Sequence, residues 1–174
     1  MTPRTRTLAA ALIATLPLAL AAAPADAAVR RGDDRANTLV GTPRGDSMWG
    51  YGGADRLRAR AGDDSVWGGA GKDRLNGGKG EDSLWGGGGN DTIDTGRDGR
   101  EDSAWGGAGN DTIYVFGDDS AWGGGGDDRI FATYADDDLE VRCGAGKDVV
   151  VFNSEPPAEA TVIGCETVKV VSAG

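Results

Sequence analysis

The chain has 174 residues, with 18 basic and 28 acidic side chains, 31 glycines, two cysteines and no histidine. A net charge of −10 argues against nucleic acid, whose binding needs a basic footprint. Without histidine there is no Ser-His-Asp triad and no imidazole acid–base chemistry, and the many acidic pairs recur along the chain instead of marking one distinct place, so the reading is that the chain is not an enzyme.

In chain order, the first element is a secretory leader. Arg4 and Arg6 precede an Ala- and Leu-rich run from Leu8 to Ala23, and Ala25-Asp26-Ala27 is a small-x-small cleavage site. That order predicts a signal peptide over 1–27 and a secreted, extracellular product. A spanning helix needs about 20 apolar residues; this run is shorter and broken by Pro17. No other run is long enough, so no membrane span is expected. Cleavage after Ala27 leaves 147 residues with 16 basic and 27 acidic side chains. So charged a body repels itself unless it is disordered or neutralised by cations. Residues 28–36 are charged and read as a loose segment or the start of an incomplete coil.

Residues 37–151 carry a period of nine. Asn37, Asp46, Asp55, Asp64, Asp73, Asp82 and Asp91 follow one another at that spacing. The column resumes at Asp102, Asp111, Asp119, Asp128, Asp137 and Asp148, with insertions or a deletion in some turns. Two residues after most of these stands an apolar side chain, from Leu39 and Met48 through Ile113 to Leu139 and Val150. Runs starting at Gly68, Gly77, Gly86, Gly106 and Gly123 read G-G-x-G-x-D-x-U-x, with U apolar. The pattern resembles the RTX, or haemolysin-type, calcium-binding repeat. The resemblance implies a parallel β-roll that binds Ca²⁺. The toxin activity and C-terminal secretion signal of some RTX-like proteins are not carried over, because the repeats leave no room for an effector domain and the leader is N-terminal.

The unit can also be built from its residues. A three-residue x-U-x strand points one side chain inward, and the Gly-rich hexapeptide reverses the chain. Two units make an 18-residue coil, and coils stack through parallel ladders about 4.8 Å apart. The expected fold is therefore all-β, a right-handed two-sheet parallel β-roll. Its core is thin, so something besides apolar burial must hold the turns. Turn carbonyls and Asp carboxylates suit Ca²⁺ with its 6–8 oxygen ligands. Zn²⁺ and Cu²⁺ would lack their usual ligands.

The period is better read as 18, because alternate strands differ. One set reads Asp-Ser-x-Trp, from Asp46, Asp64, Asp82, Asp102 and Asp119; the other begins at Asp55, Asp73, Asp91, Asp111 and Asp128. The turns before Asp73, Asp91, Asp111 and Asp128 are intact, and those before Asp55 and Asp148 nearly or partly so. On the opposite edge only the turn before Asp82 is intact. The expectation is a column of several Ca²⁺ ions on the first edge. Its ligands would be Asp55, Asp73, Asp91, Asp111, Asp128 and Asp148 with turn backbone of Gly68, Gly69, Gly71, Gly86, Gly87, Gly89, Gly106, Gly107, Gly109, Gly123, Gly124 and Gly126. Asp82 would serve on the second edge, which otherwise binds few ions or none and uses arginine–carboxylate contacts.

Trp49, Trp67, Trp85, Trp105 and Trp122 each follow an inward residue and so point outward as a ladder. The ladder either stacks on itself or offers a face for a polysaccharide or protein partner, which would make the chain an adhesive or glycan-binding module. Residues 152–174 leave the repeat as a Pro-containing loop and two short strands, read as a C-terminal cap. Cys143 and Cys165 are expected to form a disulfide tying that cap to the last coil. The protein is expected to be a monomer.

Overall fold

The computed structural model describes residues 27–135 and 138–171; the predicted signal peptide, apart from Ala27, and Asp137 lie outside the described residues. Sixteen strands alternate between two eight-stranded sheets. Sheet one holds β1 (Val29–Arg31), β3 (Ser47–Gly52), β5 (Ser65–Ala70), β7 (Ser83–Gly88), β9 (Ser103–Ala108), β11 (Ser120–Gly125), β13 (Glu140–Ala145) and β15 (Thr161–Ile163). Sheet two holds β2 (Thr38–Val40), β4 (Arg56–Ala61), β6 (Arg74–Lys79), β8 (Thr92–Asp94), β10 (Thr112–Phe116), β12 (Arg129–Thr133), β14 (Val149–Phe152) and β16 (Thr167–Val170). The strands pair in parallel with the strand one coil away, so the chain is a parallel two-sheet β-solenoid. Among the described residues there is no helix long and apolar enough to cross a membrane.

The early coils are 18 residues long: Ser65 lies beside Ser83. Ser83 then lies beside Ser103, and Ser103 beside Ser120, so one coil gains two residues and the next loses one. The extra length sits in the turns. The strand registers stay aligned because Met48, Val66, Leu84, Ala104 and Ala121 occupy one inward row. A slip of one residue would turn that whole row to solvent.

Many strands run to six residues, twice the expected length. The reason is that the first glycine of each motif is itself an inward strand position: Gly50, Gly68, Gly86, Gly106 and Gly123 are buried. In sheet two the same position carries Ala59, Gly77, Thr95, Val115, Ala132 and Phe152, all buried. The interior is therefore thin beside sheet one and fuller beside the later strands of sheet two, where Val115 and Phe152 add apolar bulk to the single cluster.

Both ends join the stack. Val29–Arg31 pairs with β3, so the segment 28–36 is not loose there but opens an incomplete coil. At the other end β15 and β16 pair with β13 and β14, extending both sheets beyond the sequence repeat. Cys143 and Cys165 form the disulfide, joining β13 to the turn before β16. Leu139 was expected as an inward residue two places after Asp137. It is buried in the core cluster but stands in the aspartate slot, its carbonyl accepting the Thr161 N–H, while Val141 takes the strand position beside Ala121. The insertion after β12 shifts the register there by two residues.

Candidate metal centre

Each aspartate of the two columns stands just before a strand, and its backbone and side chain both face the next coil. The Asp73 carbonyl accepts the Thr92 N–H, continuing the ladder. The Asp73 N–H donates to Oδ1 of Asp91, one coil further on, at 2.8 Å. The same bond runs from Asp55 to Asp73, Asp91 to Asp111, Asp111 to Asp128 and Asp128 to Asp148 on the first edge. On the second edge it runs from Asp64 to Asp82, Asp82 to Asp102 and Asp102 to Asp119. At the end of the first column Glu166 takes the aspartate's place and accepts the Asp148 N–H.

Oδ1 is thus occupied, but Oδ2 is not. In Asp55, Asp73, Asp91, Asp111, Asp128 and Asp148, every aspartate of the first edge, Oδ2 is buried without a hydrogen-bond partner. On the second edge the same holds only for Asp64, Asp82 and Asp102. Asp46 is satisfied by the Thr42 amide and hydroxyl and by the Ala28 N–H. Asp119 is satisfied by the Thr95 hydroxyl and the Phe116 N–H. For these two, threonine hydroxyls and amides take the part that arginines were expected to play. A buried acceptor without a donor costs about 1–3 kcal/mol, more when charged, so a row of nine calls for an explanation.

The first motif glycine supplies the space beside Oδ2. A Cβ built at Gly86 would lie 2.5 Å from Asp91 Oδ2 and 2.6 Å from the Gly106 carbonyl oxygen. Gly50, Gly68, Gly106 and Gly123 stand in the same relation to Asp55, Asp73, Asp111 and Asp128 and to the next coil's carbonyl. On the second edge only Gly77 combines this space with a partnerless oxygen, that of Asp82. Ala59, Thr95 and Val115 put side chains there. Asp148 keeps the partnerless oxygen, but the equivalent space holds the Cys143 side chain.

The later glycines do different work. Gly69 and Gly71 have φ of 109° and 136°. A Cβ on them would press within 2.1 Å and 1.7 Å of the Tyr51 and Gly53 carbonyl oxygens of the preceding coil. Close coil stacking therefore requires glycine there. Of the three described non-glycine residues with positive φ, Tyr51 and Arg60 stand at this turn position, beside Gly69 and Gly78. The turn shape thus survives loss of the sequence motif.

Electrostatics follows from this burial. Desolvation pushes Asp64, Asp82 and Asp111 up to about 7, and Asp91, Asp119 and Asp128 to about 6. Asp102 rises to about 9, and Asp73 rises as well. The hydrogen bonds onto these carboxylates oppose the shift, and neighbouring aspartates in the column add to it. Such a column invites a proton or a cation. Among the described residues no three carboxylate, thiol or imidazole groups converge on one point. A cation held here must take much of its coordination from turn carbonyls, which suits a hard ion such as Ca²⁺.

A second ladder on the first edge was missed from sequence. The N–H groups of Asn110, Asp127 and Lys147 donate to the side-chain oxygens of Asn90, Asn110 and Asp127 on the coil before. It runs opposite to the aspartate ladder, so these turns are gripped from both sides. The signal was Asn90, Asn110 and Asp127 recurring immediately before the aspartate.

The five tryptophans stack with ring centroids 4.8 Å apart and planes within 6°. The Arg31 guanidinium lies over the first ring, 5.1 Å from its centroid, and Arg142 is the next residue in register beyond the last. The rings cover one another's faces and turn their edges outward. The inner rings pack on one another along the stack and offer no free face for a sugar.

With this geometry in place, comparison with known families is direct. The RTX calcium-binding nonapeptide repeat model matches in four copies, over residues 31–66, 67–100, 98–115 and 116–140. The chain belongs to the RTX calcium-binding repeat family. No curated protein matches it.

Proposed function

We propose that this is a secreted calcium-binding β-roll in which Ca²⁺, held between successive turns of the first edge, drives folding and stability. The observation that carries this reading is the first-edge row of buried Oδ2 atoms without partners, five of the six beside a glycine-cleared space and a carbonyl of the next coil. Asp55, Asp73, Asp91, Asp111, Asp128 and Asp148 would hold the ions, with turn carbonyls of the motif glycines completing them. Each ion needs two turns, giving about four or five sites by the oxygen-ligand count Ca²⁺ requires. Asp82, beside Gly77, is the one candidate on the second edge.

Without cations the aspartate columns repel and remain unsatisfied, and the thin interior beside sheet one offers little compensation. Binding to the folded state alone then becomes folding free energy. Sites of the extracellular kind work at about 10⁻⁴–10⁻³ M Ca²⁺. Circular dichroism and calorimetry during a Ca²⁺ titration of the chain beginning at Ala28, with Mg²⁺ as control, test the proposal. The expected result is a gain of β-structure with heat of binding for Ca²⁺ and little for Mg²⁺. A chain already fully folded in chelator at neutral pH, with no heat on adding Ca²⁺, would overturn it.

A further inference from the structure

Charge is distributed very unevenly along the stack. Residues 28–80 hold ten basic and seven acidic side chains, while residues 81–174 hold six basic and twenty acidic ones. Four acids of the first part, Asp46, Asp55, Asp64 and Asp73, are buried in turns. The surface of the early coils therefore faces solvent with ten cations against Asp33, Asp34 and Asp63.

Part of that excess is gathered in one place. The outer face of sheet two carries a groove of about 630 Å³ across β2, β4, β6 and β8. Arg56 and Arg74 are direct neighbours on one side, and Arg58 stands on the other. All three are exposed, and among the described residues none makes an ion pair. Like charges directly opposite one another on paired strands are destabilising, and among the described residues no carboxylate forms an ion pair with Arg56 or Arg74. Thr92 and Asn76 continue the two walls, and Asp94 closes the far end.

We propose that this groove is a binding site for a short stretch of anionic polysaccharide. The guanidinium groups fit sulfate or carboxylate oxygens with two-pronged hydrogen bonds. The Thr92 hydroxyl, and the remaining lone pairs and N–H of the hydrogen-bonded Asn76–Asp94 pair, offer partners for sugar hydroxyls. No aromatic ring lines the groove, so it lacks the stacking platform that a nucleic acid strand would use. The acidic coils beyond repel a polyanion and confine it to the early coils. The site lies on the sheet opposite the tryptophan ladder and does not depend on it.

The test uses the Ca²⁺-saturated chain beginning at Ala28, with circular dichroism to verify folding of every variant. Dextran sulfate and hyaluronate separate the sulfate and carboxylate sources, neutral dextran is the control, and oligothymidylate is the nucleic acid competitor. The expected result is binding to one or both anionic glycans at least ten-fold tighter than to dextran, weakening as salt rises. The variant Arg56→Gln/Arg58→Gln/Arg74→Gln should lose ten-fold or more. Arg97→Gln/Arg100→Gln/Arg129→Gln, which removes equal charge elsewhere, should keep the affinity. Absence of binding, equal loss in both triple variants, or preference for oligothymidylate over both glycans would each overturn the proposal.

Discussion

The two edges of the roll carry the same backbone but leave their aspartates in different company. On the first edge every aspartate has one oxygen without a donor, and five of the six have a glycine beside it. On the second edge the protein supplies its own partners to Asp46 and Asp119, and side chains of Ala59, Thr95 and Val115 stand where the glycines would be. One turn conformation thus supports two arrangements: a column whose Oδ2 atoms the chain leaves without donors, and a column that it partly satisfies with hydroxyls and amides. Only the side chains within hydrogen-bond reach of Oδ2 separate the two.

The comparison can be broken most forcefully with pH in the presence of chelator. Burial raises Asp64, Asp82, Asp91, Asp111, Asp119 and Asp128 from an unfolded value of 3.8 to about 6–7, and Asp102 to about 9. A raised acid binds protons more readily in the folded state, so its stabilisation is full below about pH 4 and is lost as pH rises through the folded value. The Ca²⁺-free chain should therefore be folded near pH 5 and largely unfolded near pH 8 by circular dichroism. Ca²⁺ should reverse the trend, binding more tightly at the higher pH because it competes with the protons. A Ca²⁺-free chain more stable at pH 8 than at pH 5 would contradict the burial argument.

Next in size are substitutions in the aspartate columns. Asp91→Ala and Asp111→Ala should each weaken two adjacent sites and shift the Ca²⁺ midpoint ten-fold or more. Asp64→Ala should shift it much less. Equal shifts in all three would erase the distinction between the edges. A finer version exchanges only the small residue beside Oδ2. Gly86→Ala should lower the number of ions bound, read by calorimetry, without any penalty from positive φ. Ala59→Gly, next to Asp64, should leave that number unchanged or raise it by one. A stoichiometry unaffected by Gly86→Ala would mean that the space beside Oδ2 is irrelevant to binding.

The disulfide replaces the glycine arrangement on the last coil, where Cys143 occupies the position that Gly123 holds one coil earlier. Reducing it should cost about 3 kcal/mol in the chain-entropy view, seen in denaturant melts with Ca²⁺ present. The smallest expected effect lies at the opposite end. Ala28 N–H donates to Asp46, so cleavage after Ala27 would turn that donor into a charged amine. A chain beginning at Ala28 should exceed one extended by Gly-Ser by about 1 kcal/mol, the scale of a charge-strengthened hydrogen bond, and Asp46→Asn should remove the difference.

Much of this molecule could be read before its coordinates. The nine-residue column, the alternation of Trp-bearing and Trp-free strands and the pairing of Cys143 with Cys165 follow from spacing and composition. The glycine-rich steps were harder. A buried glycine leaves no apolar signal, so Gly68 and its equivalents read as turn while forming the inward half of the strand. Leu139 was misplaced because apolarity alone does not distinguish an inward residue from one standing in for an aspartate. The opposing grips of Asn90 and Asp91 were invisible for another reason: direction along the stack is a property of hydrogen bonds between coils, and a one-dimensional repeat does not encode it.

The head-to-tail sense of the aspartate ladder has an evolutionary consequence. Along the first edge, successive coils are joined by the same handshake, an amide on one turn and a carboxylate on the next. A whole coil can be duplicated or deleted without redesigning what lies above or below it. The departures from 18 residues bulge at the corners and leave the first-edge handshake intact. Length is thus the trait that this architecture can change most cheaply, and lineages carrying it should differ first in their number of coils.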